Sequence, residues 1–237
     1  MRAGSGTAPA GLFWAFDAVI RATFTGGATV FQFDIIATGT SILSQFCVVD
    51  YDGIFYWAGV DRFYMFNGVV REVPNSMNLN YFFDGINQAA KNKTFCFQVP
   101  KYNEVWWCYP KGDATECTHA VVYNVKEQTW YDTELPNNGR SAGHFNNSFA
   151  APILTGVKND GLGYKVWRHE FKVDEYDGPT VRPIKSFFET SDLSTLVSGN
   201  NRYLRCTTIE PDFVQTGPMT VNVNGRANAR APEVTST

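Results

Sequence analysis

The stretch Val48-Val49-Asp50-Tyr51-Asp52-Gly53-Ile54-Phe55-Tyr56-Trp57 reads as a strand, a tight turn and a returning strand. The chain then writes it again as Gln98-Val99-Pro100-Lys101-Tyr102-Asn103-Glu104-Val105-Trp106-Trp107. Asp52-Gly53 tolerates the positive backbone angles that a two-residue hairpin needs. Each copy runs into a second hairpin. In the first it is Phe63-Tyr64-Met65-Phe66-Asn67-Gly68-Val69-Val70-Arg71-Glu72-Val73-Pro74, and in the second Ala120-Val121-Val122-Tyr123-Asn124-Val125-Lys126-Glu127-Gln128-Thr129-Trp130-Tyr131. A repeat of four short strands cannot bury its own faces, so it has to stack on neighbours. The expected fold class is therefore all-β, built from β-propeller-like four-stranded antiparallel units.

Outward from the repeat, strands are predicted over Leu12–Ile20 and Thr29–Ile36, joined through Thr25-Gly26-Gly27. In Val30-Phe31-Gln32-Phe33-Asp34-Ile35 apolar and polar residues alternate, which suits a strand with one face buried. Between the two copies the period changes. Leu79, Phe82, Phe83, Ile86, Ala89 and Ala90 recur at helical spacing, with Asn78 or Ser76 placed to cap the start. That predicts one inserted amphipathic helix at about 78–92, packed outside the sheets. Two sections follow: 1–136, the propeller-like units with the inserted helix, and 137–237, a further β-rich section continuous with the same domain. In the latter, strands are predicted over Ser148–Val157, Tyr164–Val173, Val181–Thr190, Tyr203–Glu210 and Pro218–Asn224, with a turn at Asp177-Gly178-Pro179. The tail from Gly225 to Thr237 carries few core candidates, and the chain reads as a partial copy of a longer protein.

Composition narrows the function. At 237 residues the chain can bury a sizeable core, and aromatics make up 15% of it, as sheets with bulky faces require. The net charge of −3 gives no overall basic field for gripping nucleic acid, and basic residues are dispersed from Arg140 to Arg230. Five cysteines, Cys47, Cys96, Cys108, Cys117 and Cys206, have no metal-ligand spacing and read as reduced thiols packed in strands. No apolar run reaches membrane-spanning length and no secretory leader opens the chain. The sequons at Asn92-Lys93-Thr94 and Asn146-Asn147-Ser148 accordingly carry little weight.

Several residues invite a chemical reading. Asp52, Asp61 and Glu104 are the carboxylates from which a sugar-cleaving propeller would draw its acid and base, a pair that must face one cleft. Asp52 is better explained as a turn residue and Asp61 as the partner of Arg62. His169-Glu170 suggests metal or acid–base work, but neighbours on a strand point to opposite faces. His119 and His144 have no partners in sequence. Trp57, Trp106, Trp107, Trp130 and Trp167 form either a glycan-binding platform or the packing between sheets, and the equivalence of Trp57 with Trp106 or Trp107 in the repeat favours packing. No catalytic, cofactor-binding or metal residue is assigned.

The run Pro9-Ala10-Gly11-Leu12-Phe13-Trp14, then Tyr51 to Phe63, Pro100 to Trp107, Ala114-Thr115-Glu116-Cys117, Tyr123 to Asp132 and Arg168-His169-Glu170 resemble a family of tailed-bacteriophage virion structural proteins. The resemblance runs from about residue 9 to residue 232. It implies a propeller-like subunit of the tail hub or nozzle: a homo-oligomeric ring below the portal, contacting portal, adaptor and other tail proteins, with phage DNA passing through transiently. It implies a place in the virion after assembly in the host cytoplasm, and no catalytic residues. The loops Pro110–Thr118 and Pro136–Phe149 are the expected contact points. Glycan binding for host recognition is the alternative.

Overall fold

The computed structural model describes residues 2–3, 10–27, 29–75, 80–136, 139–157, 162–184, 187–190, 193, 207–210, 218–227 and 231–236. It is all-β, made of several small antiparallel sheets. The chain divides into two compact units, Met1–Lys172 and Val173–Thr237.

The first unit holds four sheets in chain order. Sheet 1 contains β1 (Arg2–Ala3), β2 (Ala10–Trp14), β3 (Ala18–Phe24) and β4 (Phe31–Thr38). Sheet 2 contains β5 (Val48–Tyr51), β6 (Ile54–Ala58), β7 (Phe63–Phe66) and β8 (Val70–Glu72). Sheet 3 contains β9 (Phe95–Val99), β10 (Glu104–Tyr109), β11 (His119–Asn124) and β12 (Thr129–Glu134), and sheet 4 contains β13 (Ala142–Asn146), β14 (Ala151–Val157) and β15 (Tyr164–Arg168). Every strand pairs with the next in sequence, so each sheet is a meander.

The sheets cover one another through alternate residues, as the pleat dictates. In β6, Phe55 and Trp57 enter a cluster with Leu12 and Val19 of sheet 1, while Tyr56 and Ala58 enter the cluster shared with sheet 3. In β10 the parity repeats one sheet later: Val105, Trp107 and Tyr109 face sheet 2, and Cys108 with Trp106 packs with Leu154 of sheet 4. The two repeat copies therefore occupy equivalent places. Trp57 and Trp107, both 0% exposed, each face the preceding sheet. Each indole N–H donates to a backbone carbonyl, Trp57 to Ser41 at 3.1 Å and Trp107 to Cys47 at 3.2 Å. First strands lie beside one another: Phe46, leading into β5, bridges in parallel to Phe95 of β9, and β9 in turn contacts β13.

The inserted helix is much shorter than the sequence pattern predicts. Helix α1 covers only Asn80–Gly85, and a 3-10 turn at Lys91–Lys93 follows. Gly85 ends it, because the backbone there turns to pair with a neighbouring loop: Ile86 bridges to Lys111, and Asn87 N–H donates to the Pro110 carbonyl at 2.8 Å. Nor does the helix lie outside the sheets. Phe82 plugs the core between sheets 2 and 3, its ring centroid 5.2 Å from Phe63 and 4.6 Å from Tyr109. Leu79, Asn78 and Ser76 fall outside the described residues.

Sheet 1 departs from expectation in a second way. The span Leu12–Ile20 is two strands, split by a turn at Ala15–Asp17, and the apolar face of β4 points to solvent. Cross-strand pairing sets Phe13, Ile20 and Ile35 on one face with Ala22, Phe33, Phe24 and Phe31. The opposite face carries Leu12, Trp14 and Val19, and it is this one that packs on sheet 2. A bulge between Val19 and Ile20 shifts the register near the closed end, so that Ile36 and Ala37 also turn toward sheet 2.

In the second unit two hairpins are described, β16 (Asp174–Asp177) with β17 (Thr180–Pro183) and β18 (Val223–Gly225) with β19 (Val234–Ser236). Gly178 supplies the positive φ of 61° in the first turn, where the sequence placed one. No described residue of this unit is a buried hydrophobic, and Phe187 and Phe188 are 69% and 89% exposed. The predicted strand at Tyr203–Glu210 falls partly outside the described residues, and Thr208 to Glu210 are not in a strand.

Candidate functional site

A cleft of about 820 Å³ opens in the first unit where the sheets' leading segments meet. Its walls come from the β2–β3 turn (Trp14, Phe16), the segment before β5 (Ile42 to Phe46), the turn before β9 (Lys91 to Lys93), Glu116, Ser141 and Tyr164. Phe16, Phe46 and Tyr164 are 90%, 56% and 65% exposed, so flat aromatic surface faces solvent here. Lys93 Nζ meets Glu116 Oε1 at 2.8 Å, and this hydrogen bond raises the lysine above its ordinary value. Trp14 Nε1, Ser141 Oγ and Glu116 Oε2 lie at this wall with no hydrogen-bond partner among the described residues. Such a surface can stack on the apolar face of a ring and offer donors and acceptors beside it. Nothing in the sequence pattern marked Phe16 or Phe46, since both sit in irregular segments.

Of the residues singled out for chemistry, Asp52 and Asp61 lie apart, and only Glu104 and Glu170 come near enough for the charge of one to act on the other. Asp52 lies in the β5–β6 turn with φ 51°, while Asp61 sits at the far end of β6 and pairs with Arg62 at 2.9 Å. Glu104 begins β10 beside the first of these turns, since Tyr51 OH donates to Asn103 Oδ1 at 3.0 Å. Both Glu104 oxygens are engaged, one by Tyr131 OH at 3.0 Å and the other by Trp106 Nε1 at 2.9 Å. Glu170 is pushed up by desolvation and then by the Glu104 charge, with Lys101 opposing.

His169 and Glu170 follow the end of β15 and diverge. Glu170 has φ 55° and comes near Glu104 and Lys101, whereas His169 Nε2 accepts a hydrogen bond from Arg140 Nε at 2.8 Å. Arg140 is 1% exposed, and its Nη1 donates to the carbonyls of Pro136 at 2.7 Å and Gly139 at 2.8 Å. Its guanidinium carbon lies 5.0 Å from the Trp167 ring centre. Burial, and then the Arg140 charge, pushes His169 down to about 3, so the imidazole is neutral at pH 7. A lone arginine after an Asn-Asn-Gly turn gives no sequence sign of this role. His119 is held low mainly by burial and contacts Thr118 Oγ1 at 3.0 Å, and His144 is exposed on β13.

Trp57, Trp107, Trp130 and Trp167 are all buried, and Trp106 is half-buried between sheets 3 and 4. The sequence aromatics form packing, and the exposed aromatic platform lies elsewhere, in the cleft. The Pro136–Phe149 segment contains β13 and the buried Arg140. Pro110–Thr118 is pinned at Lys111 and at the buried Cys117, leaving Gly112 and Asp113 exposed. Cys47, Cys96, Cys108 and Cys117 are free and buried, and desolvation raises the Cys47 thiol to about 12. Among the described residues no helix is long and apolar enough to cross a membrane. Comparison with known proteins matches the chain to no family model and to no curated sequence.

Proposed function

We propose that this chain is a structural subunit of a bacteriophage tail, a propeller-like body of the hub or nozzle that works through subunit contacts and no catalytic step. The observation that carries this reading is where the aromatic residues go. The repeats commit theirs to successive sheet–sheet interfaces, and an apolar face of sheet 1 is left open to solvent. A face of that size on a soluble protein marks a contact surface. First strands lying side by side support a radial arrangement of the sheets about a common axis. The subunits form a ring, dock on portal, adaptor and neighbouring tail proteins, and pass DNA through a lumen for which a net charge of −3 favours weak contact. The test is to raise antibodies to the chain and probe gradient-purified particles of the producing phage by immunogold microscopy and protein mass spectrometry. Label at the tail below the portal is expected, and particles lacking the chain refute the reading.

The aromatic cleft favours a second reading, glycan binding for host recognition. Phe16 and Tyr164 would stack on sugar rings while the Lys93–Glu116 pair and Ser141 meet hydroxyls. Binding of host polysaccharide that falls at least tenfold in Phe16→Ala would support it. Polysaccharide that does not bind, or that binds Phe16→Ala equally well, would remove it.

A further inference from the structure

We infer that the outer face of sheet 1 is a docking surface for a second copy of this chain, which presents the outer face of its sheet 4. The inference deepens the assembly part of the proposed function and rests on the stacking geometry, not on where the assembly is used. Phe24, Phe31, Phe33 and Ile35 are 51%, 51%, 63% and 65% exposed and share one face. Phe24 and Phe31 meet edge to face at 5.7 Å, and Phe13 lies 6.2 Å from Phe33, so the face carries two aromatic pairs. With large side chains burying roughly 200 Å² each, these four leave about 450 Å² of uncovered apolar surface. That is as large as the biggest patch on a typical monomer.

What covers such a face is indicated by the molecule's own interfaces. Sheets 1 to 2, 2 to 3 and 3 to 4 meet in series, the apolar face of one against that of the next. Two faces are left over in this unit, one at each end of the series. At the far end, Leu154 and Trp167 face inward, and pairing puts Thr155 with Val166 and Val157 with Tyr164 on the outer side. There Tyr164 and Val166 are 65% and 69% exposed, with Ile153, Thr155 and Val157 half-buried beside them. Joining the two leftover faces repeats the internal contact between copies. The four side chains of sheet 1 supply a little over half of the roughly 800 Å² per partner of a stable interface. The contact is heterologous, so it propagates from copy to copy and closes into a ring if the rotation permits.

Sedimentation velocity of the full chain over a concentration series tests this, with far-UV circular dichroism confirming the fold of each variant. Wild type is expected to associate beyond the monomer. Phe33→Asp and Val166→Asp are each expected to weaken association at least a hundredfold and remain monomeric alone, while their mixture forms a dimer that grows no further, because only one competent pair of faces survives. The milder Phe33→Ser is expected to weaken association at least tenfold, and Gln32→Asp, on the opposite face of β4, leaves it unchanged. A monomeric wild type, a Val166→Asp protein that associates like wild type, or a mixture that stays monomeric overturns the inference. Absence of the chain from virions would remove the tail assignment and leave this result standing.

Discussion

Trimming the Trp107 indole to a phenyl ring measures how far the repeat is a structural unit. Trp107 is 0% exposed, its ring centroid lies 4.7 Å from Phe63 and 5.9 Å from Trp130, and its N–H satisfies the Cys47 carbonyl at 3.2 Å. Trp107→Phe keeps an aromatic ring in the core and orphans that carbonyl, which costs about 1–3 kcal/mol. Trp107→Ala also empties the pocket, for about 3–5 kcal/mol, a large share of the 5–15 kcal/mol that roughly holds a domain together. Trp57 makes the equivalent bond to Ser41 one sheet earlier, so Trp57→Phe should cost the same as Trp107→Phe to within about 1 kcal/mol. Trp106 is the internal control. It faces the other way, is half-buried, and bonds a Glu104 carboxylate at 2.9 Å, so Trp106→Phe should cost under about 1 kcal/mol. Urea unfolding followed by far-UV circular dichroism reads these differences without depending on tryptophan emission. With a slope of about 3 kcal/mol/M, a loss of 2 kcal/mol moves the midpoint by roughly 0.7 M. A neutral Trp107→Phe, or a Trp106→Phe that costs more than either repeat tryptophan, would refute the claim that equivalent positions carry equivalent packing.

Acid should expose the buried histidine. His169 is held near 3 in the folded chain, while the unfolded chain binds its proton near 6.5. Its contribution is therefore full above pH 6.5 and lost toward pH 3, with a slope of at most about 1.4 kcal/mol per pH unit. His169→Gln, which can still accept from Arg140, should unfold with a flatter pH dependence across that window, and parallel curves for the two proteins would contradict the assignment. Gly156→Ala should destabilise by about 1–3 kcal/mol, because an added methyl would meet the Gly139 carbonyl oxygen at 2.5 Å, whereas Gly27→Ala has open space and should be near neutral in thermal melts. Cys47, with its thiol raised to about 12, should resist thiol reagents in the native protein and label only on unfolding, as mapped by peptide mass spectrometry. Rapid native labelling at that peptide would contradict its burial.

The repeat was legible because it combines two short-range signals, Asp52-Gly53 and period-two alternation, with recurrence at fixed distance. Those signals locate β5 to β12 and favour packing for the tryptophans as a group, but they leave open whether Trp106 or Trp107 is the equivalent of Trp57. They do not report which side of a strand will be covered. Phe31, Phe33 and Ile35 alternate as a buried face should, yet the sheet turns its Leu12–Trp14–Val19 side to sheet 2 instead. The choice depends on a bulge at Val19–Ile20 and on cross-strand partners far away in sequence. Helical spacing misled for a related reason. Phe82, Ile86 and Ala90 are all buried, but by a helix, a bridge and a turn in succession, since Gly85 and the loop at Pro110 and Lys111 offer the backbone another partner. The cleft was invisible because its walls are drawn together from six separate segments, most of them loops, and only tertiary packing juxtaposes Phe16 with Lys93 and Tyr164.

The same asymmetry bears on function. A carboxylate pair for hydrolysis would need convergence, and the sequence's three acidic candidates instead hold turns or orient neighbours: Asp61 binds Arg62, and Glu104 is occupied by Tyr131 and Trp106. Arg140 and His169 are likewise bound to one another beneath Trp167, where they fix the course of the chain into β13. Folding thus accounts for Asp61, Glu104, Arg140 and His169, while Trp14 Nε1, Ser141 Oγ and Glu116 Oε2 at the cleft find no partner among the described residues. What else folding leaves unexplained is apolar: a sheet face with four large side chains in water, and a C-terminal unit whose described hydrophobics are exposed. Leaving roughly 450 Å² of Phe and Ile wet forgoes about 11 kcal/mol at 25 cal/mol/Å². A second surface covering them would recover part of that, after the cost of bringing two molecules together, and the proposed assembly thereby gives these residues a use.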